Sequence, residues 1–178
     1  MHLSPSFGKG RAVGEAIINH LYPAGVDGRI PVVAVTGTNG KTTTARLITH
    51  LFATSGMTVG MTNTDGVYVD GQRTVQGDMT GPVATRMVLS DPSVDVAVLE
   101  VARGGLLRAG MGVRHVDVGA VLNVQSDHLG LRGIHTLDEL AEVKRIIVEV
   151  ARDTAVLNAD DPRVLRMAAY TEAKSVCY

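Results

Sequence analysis

The sequence predicts an α/β fold, a mostly parallel sheet flanked by helices, on three observations. Short apolar runs rich in β-branched residues alternate with longer segments whose apolar residues recur at helical spacing. A glycine-rich turn, Gly37-Thr38-Asn39-Gly40, joins the first such run to the first long helical segment, the place where parallel sheets carry their ligand loops. Composition agrees: glycine is 20 of 178 residues and there is no Trp, with only 4 Tyr and 2 Phe, so the core must be built from Val, Leu, Ile, Met and Ala. Strands separated by helices imply right-handed crossovers and a largely parallel sheet.

Residues 1–29 read as a lead-in from a preceding domain, and residues 30–178 as the domain proper. Gly14 to Leu21 can make two helical turns, broken by Tyr22-Pro23 and by Gly25 to Gly28. Ile30 to Thr36 is a strand-length apolar run that tolerates Pro31 at its start. Lys41 to Ser55 carries Ala45, Ile48, Leu51 and Phe52 on one helical stripe and stops at Gly56. Thr58 to Thr62 predicts a second strand, and Asp65 to Val75 a hairpin turning at Asp70-Gly71. Thr80 is expected to cap a helix over Pro82 to Ser90, since proline suits a first turn. Val94 to Val101 and Val116 to Val124 predict further strands, the first apolar nearly throughout until Glu100, as in a strand covered on both faces. Thr136 and Glu139 form a capping box opening a helix over Leu137 to Ala151, with Leu140, Val143, Ile147 and Val150 as its stripe. Thr154 to Leu157, Asp161 to Tyr170 and Ser175 to Tyr178 predict a strand, a helix and the start of a last strand.

Composition also sets bounds. Apolar residues are 45% and charged residues 20%, which predicts an ordered chain. Lys plus Arg is 17 against 18 Asp plus Glu, a balance that argues against a dedicated nucleic-acid partner. One cysteine, Cys177, excludes an internal disulfide and a four-cysteine zinc site, and the 6 histidines show no paired ligand spacing. No apolar run nears the roughly 20 residues of a membrane span. Met1 to Arg11 lacks the apolar stretch of a signal peptide, so no membrane partner and a cytoplasmic location are expected. A homo-oligomer stays open.

The chemistry gathers at predicted strand ends. In Thr36-Gly37-Thr38-Asn39-Gly40-Lys41-Thr42-Thr43, the two glycines let backbone wrap a phosphate and amides at the helix start donate to its oxygens. Lys41 would neutralise the β/γ region of a nucleoside triphosphate, and the Thr42 hydroxyl can reach Mg²⁺. Val35 stands where the ordinary phosphate loop has glycine. Glu100 closes an apolar strand; a carboxylate there is either a metal ligand or a salt-bridged residue with Arg103 as partner. Asp127-His128 follows another strand and reads either as a second metal or nucleotide contact or as a surface pair. Lys144, at the edge of its helical stripe, reads on spacing alone as a solvated lysine. Asp161 and Pro162 suit a helix cap and first turn, leaving Asn158 and Asp160 to contact a base or ribose.

Together these motifs resemble the central ATPase domain of the Mur ligase superfamily, the amide-forming ligases of peptidoglycan and folate metabolism. The tightest similarity is to the cyanophycin synthetase family. It rests on GTNGKTTT at 37–44, TDGVYVDG at 64–71, GDMTGP at 77–82, LEVARGGLLRAGMG at 99–112, SDHLG at 126–130 and the lead-in PSFGKGRAVGEAIINHLYP at 5–23. The superfamily's own loop form is GTxGKTT, which absorbs the departure at Val35. The resemblance implies an ordered reaction in which ATP phosphorylates a carboxylate, an amine attacks the acyl phosphate and phosphate leaves. It implies an aspartate-backbone peptide polymer and arginine as substrates. By the same resemblance Gly37 to Thr43 hold ATP, Thr42 and Glu100 coordinate a first Mg²⁺ and His128 a second. Lys144 matches a lysine often carried as a carbamate, and Asn158 matches the asparagine that reads adenine. The resemblance further implies that an ATP-grasp half and a small C-terminal domain lie outside this chain, which is then expected to bind nucleotide weakly and not turn over alone. Two other readings are a different phosphate-loop NTPase and a non-catalytic nucleotide-binding or structural module.

Overall fold

The computed structural model describes residues 13–21, 25, 28–126, 129–130 and 133–178. Eight strands form one sheet in the order β4-β3-β2-β5-β1-β6-β7-β8. They are β1 (Val32–Thr36), β2 (Val59–Asn63), β3 (Gly66–Val69), β4 (Gln72–Gln76), β5 (Val96–Glu100), β6 (Val116–Val121), β7 (Ala151–Leu157) and β8 (Ser175–Cys177). Six strands from β2 to β8 run parallel, and β3 and β4 add an antiparallel edge. The helices are α1 (Val13–Leu21), α2 (Lys41–Thr54), α3 (Pro82–Leu89), α4 (Arg103–Ala109), α5 (Leu137–Glu149) and α6 (Pro162–Leu165), the last running into a 3₁₀ turn over Arg166–Tyr170.

The α/β expectation therefore holds, with β1 at the centre of a parallel sheet. All five residues of β1 and all five of β5 are buried, because helices cover both faces. On one face α2 lays Ala45, Ile48 and Phe52 over Val33, Val35, Val59, Met61, Val96 and Val98. On the other, Ala84 and Val88 of α3, Leu106 of α4, Leu140, Ile147 and Val148 of α5 and Val164 of α6 join Ala34, Ala97, Leu99 and Val121 in the main core. The chain leaves β1 through α2 on the first face and returns from β5 through α4 on the second, so its direction across the sheet reverses beside β1. A crevice at the carboxyl ends of the strands results, and it holds the glycine-rich turn.

Several expected details are corrected. α2 buries Ala45 and packs the half-buried Ile48 and Phe52 on the sheet, while Leu51 is 61% exposed and falls off the stripe. α3 is not capped by Thr80: Gly81 stands at its N-cap without a side-chain bond, and the Thr80 hydroxyl bonds Asp78. α4 was not anticipated, since Gly104 and Gly105 weaken a seven-residue helix. It forms because its backbone packs flush on the α3 entry, where a Cβ on Gly105 would stand 2.5 Å from the Thr80 carbonyl oxygen. β6 ends at Val121 rather than Val124, and β7 starts at Ala151, taking the residue assigned to the end of α5. The expected helix from Asp161 is one α turn and then a 3₁₀ turn. The hairpin is as read, with Asp70 at φ 50° and Gly71 at φ 73°, positive values that suit a tight two-residue turn. The capping box is present in both directions between Thr136 and Glu139.

Candidate functional site

β1 ends at Thr36, whose hydroxyl donates to the Val101 carbonyl at 2.8 Å and pins the ends of β1 and β5 together. The chain then turns through Gly37 to Gly40. A Cβ on Gly37 would crowd the Leu122 side chain at 3.0 Å and the Asn39 carbonyl at 3.2 Å, and Gly40 sits at φ 84°, where side chains are strained. α2 begins directly after, with no side-chain cap, so the first amides at Lys41, Thr42 and Thr43 receive none of the usual capping oxygens. Amides and dipole together make this end a natural seat for an anion. The Lys41 ammonium donates to the Thr38 carbonyl at 2.8 Å, folded across the mouth of the turn.

Glu100 lies at the carboxyl end of β5, only 1% exposed. Its Oε2 accepts the Thr42 hydroxyl at 2.7 Å, while its Oε1 is buried with no hydrogen-bond partner. Neither Arg103 nor any other described residue hydrogen-bonds Glu100 Oε1. A buried carboxylate with an unused oxygen is unfavourable unless a cation meets it. Hydroxyl and carboxylate oxygens are the hard donors that suit Mg²⁺, so the residues present fit that ion. Thr64 brings a second hydroxyl 3.4 Å from that of Thr42. Next to Glu100 across the sheet, Asn63 is fully buried; its Oδ1 accepts from the amides of Asp65 and Gly66, and its Nδ2 has no partner.

A cavity of about 470 Å³ opens on the β6–β7 side of the turn, lined by Asn39, Gly40, Leu122, Asn123, Val156 and Asn158 among others. Its apolar walls with an amide at the rim suit a flat heterocycle. The Asn158 amide donates to the Leu122 carbonyl at 2.9 Å and accepts from the Asp160 amide at 3.0 Å. One N–H and one lone pair of that side chain are left over, enough for one edge of a base. Asp161 caps α6 through the amides of Arg163 and Val164, and its other oxygen accepts from the Val124 amide at 2.7 Å.

Lys144 is not a solvated lysine. It is 3% exposed, because the face α5 turns to the core is wider than the apolar stripe: Lys144 and Val148 are buried beside Leu140 and Ile147, with Val143 and Val150 partly buried at its margin. His128, with Asp127, lies outside the described residues. Sequence reasoning singled out neither Asn123 nor Gln125, which bond the turn from the end of β6, nor Asn63 and Thr64. Their signal was position alone, each being polar and at or just past the end of an apolar strand. A larger cavity, about 790 Å³, opens at the opposite, amino end of the strands between Arg29, Asp91, Arg114, Asp117 and Arg152. It contains none of the motifs, and the unsatisfied carboxylate makes the other end the candidate site.

Residues 35–178 match the Mur ligase middle domain. The chain belongs to that family. Over 176 residues this Mur ligase domain is 51% identical to the cyanophycin synthetase of Synechocystis sp. (strain ATCC 27184 / PCC 6803 / Kazusa), covering 98% of the chain and 20% of that protein. It is 34% identical over 148 residues to the UDP-N-acetylmuramoyl-L-alanyl-D-glutamate–2,6-diaminopimelate ligase of Chlorobaculum tepidum, covering 79% of the chain and 28% of that ligase. The Mur ligase domain thus spans about one fifth of the length of the cyanophycin synthetases it matches. Among solved structures, a UDP-N-acetylmuramoyl-L-alanyl-D-glutamate–2,6-diaminopimelate ligase superposes with a TM-score of 0.71 at 25% identity, over 91% of this chain and 34% of that one. The MurF ligase of Thermotoga maritima in complex with ADP superposes with a TM-score of 0.59 at 25% identity, over 82% of this chain and 32% of that one. Among the described residues no helix is long and apolar enough to cross a membrane.

Proposed function

We propose that this Mur ligase domain binds ATP with Mg²⁺ at the glycine-rich turn and serves the carboxylate-activating step of an acid–amino-acid ligase, the arginine-adding half of a cyanophycin synthetase. The observation that carries the reading is Glu100, buried beside an anion-binding turn with one oxygen on Thr42 and the other unmatched. Thr42 and Glu100 would hold Mg²⁺, which supplies charge neutralisation at the phosphate oxygens. Lys41 and the amides opening α2 would draw the triphosphate into line and stabilise negative charge on the transferred phosphoryl. Asn158 would read adenine with its remaining N–H and lone pair, the ring lying between Leu122 and Val156.

In the reaction a carboxylate oxygen of an aspartate-backbone polymer bonds to the γ-phosphorus as the bond to the bridging oxygen of ADP breaks. The amine of arginine then bonds to the acyl carbon, phosphate departs with the electron pair, and the amine gives up one proton. His128 would serve a second Mg²⁺, and Lys144, as a carbamate, would offer carboxylate-like oxygens in place of an ammonium. An ATP-grasp half and a smaller C-terminal domain, as the full-length relatives' lengths allow, would complete the machinery.

Titration calorimetry with ATP and Mg²⁺ tests the core of this reading. Lys41→Ala is expected to abolish binding with an unchanged circular dichroism spectrum, since Lys41 reaches over the turn and not into the core. Equal affinity in both proteins would refute it. Ligation assays of the full-length protein with arginine and with lysine test the choice of amine.

A further inference from the structure

The glycine-rich turn is shaped from outside itself. Asn123, two residues past β6, accepts with Oδ1 from the amides of both Thr38 (3.0 Å) and Asn39 (2.9 Å) and donates with Nδ2 to the Asn39 carbonyl (3.1 Å). Its own carbonyl also accepts from the Thr38 amide at 3.0 Å. Two residues on, the Gln125 amide donates to the Thr38 hydroxyl (2.9 Å), which lies 3.3 Å from the Gln125 carbonyl, and the Gln125 side chain accepts from the Asn39 amide group (2.7 Å). Only a primary amide of this length offers an acceptor for two amides and a donor for the neighbouring carbonyl at one spot. Aspartate keeps the acceptors and loses the donor; alanine loses everything.

This bracing has two chemical consequences. The amides of Thr38 and Asn39 are spoken for, so an anion in the turn is met by the amides that open α2 and by Lys41. The strand end that carries Asn123 also carries Gln125, so the turn is tied to the backbone leaving β6 at two neighbouring points.

We propose that Asn123 is a positioning residue of the nucleotide site: it presets the phosphate turn for ATP. The proposal rests on the ATP-binding reading above. Its test uses the full-length protein with Asn123→Ala and Asn123→Asp, read by ATP affinity, by kcat and KM for ATP, and by hydrogen exchange of the Thr38 and Asn39 amides. Asn123→Ala is expected to weaken ATP binding and raise KM about tenfold or more, to change kcat less, and to speed exchange at Thr38 and Asn39 while β1 keeps its protection. Asn123→Asp is expected to keep those two amides protected yet still weaken ATP, because it sets a negative charge beside the phosphates. Exchange at Thr38 and Asn39 that stays as slow in Asn123→Ala as in wild type would overturn the proposal. So would wild-type affinity in Asn123→Ala, or a loss explained by a matching fall in the denaturation midpoint. Failure of the wild-type protein to bind ATP would bring down the underlying reading and this one together, whereas wild-type binding matched by Asn123→Ala would bring down this one alone.

Discussion

Gly119 and Ile147 meet backbone to backbone: a Cβ on Gly119 would stand 2.4 Å from the Ile147 carbonyl oxygen and 3.1 Å from the Ala151 Cβ. β6 and α5 therefore touch at the closest approach two backbones allow. Because the obstacle is a carbonyl inside a helix and not a flexible side chain, Gly119→Ala should destabilise the fold by about 1–3 kcal/mol. Urea denaturation checks this, and an unchanged midpoint would refute it.

Glu100→Gln should separate stability from metal dependence. The substitution keeps the shape and removes a buried carboxylate whose Oε1 has no hydrogen-bond partner, so the metal-free protein should be as stable as wild type or more so. Affinity for ATP in the presence of Mg²⁺ should fall about tenfold or more, a loss of ~1.4 kcal/mol or more. A variant that loses stability but keeps Mg²⁺-dependent affinity would reverse the assignment.

Asp161 joins two jobs in one carboxylate, capping α6 and accepting from the Val124 amide. Asp161→Ala should cost about 1–2 kcal/mol from the cap alone and should also loosen the segment that follows β6. Hydrogen exchange at Val124 that is no faster than in wild type would argue against the second role.

The Glu139 carboxyl is held below its ordinary pKa, mainly by the His135 amide and then by the Thr136 amide. A depressed pKa in the folded chain means that its stabilisation is complete above the ordinary glutamate range and is lost as the pH falls through the folded value. The stability gap between wild type and Glu139→Ala should thus be full at neutral pH and shrink in acid. Denaturation midpoints measured along a pH series check it; a gap that widens in acid would contradict the sign.

Lys144→Ala in the full-length protein should lose ligation and regain part of it on adding short-chain carboxylic acids, if a carbamate oxygen is what the site uses. Full activity without any addition would mark Lys144 as a structural lysine in the α5 stripe.

Local chemistry made much of this legible in the sequence. The β1–turn–α2 unit, the Asp70-Gly71 turn, the Thr136–Glu139 box and the Asp161-Pro162 start are each decided within a few residues, and each stands where the spacing put it. Glu100 was legible as a polar end to an apolar run. α4 was hidden because packing on Thr80 and Gly81 overrides the poor propensity of two glycines. Lys144 was misread because the helical stripe was drawn through apolar residues only, while the buried face of α5 is wider and takes in Lys144 and Val148. Asn123 and Gln125 carry no local signal, since their partners lie 84 to 87 residues away.

That separation has a bearing on how the protein is born. A ribosome adding roughly 5–20 residues per second delivers Asn39 some 4–17 s before Asn123, its partner 84 residues later. Through that interval Gly37 to Gly40 exist without the floor that shapes them, and β1 lacks first both of its neighbours and then, once β5 is made, still β6. A nascent chain of this length therefore has no finished cradle to offer a nucleotide. Any ligand that favours the completed cradle enters the folding equilibrium only after the sheet has closed around β1, deepening the native well by mass action. It acts as a lock on the finished protein and not as a seed for its folding.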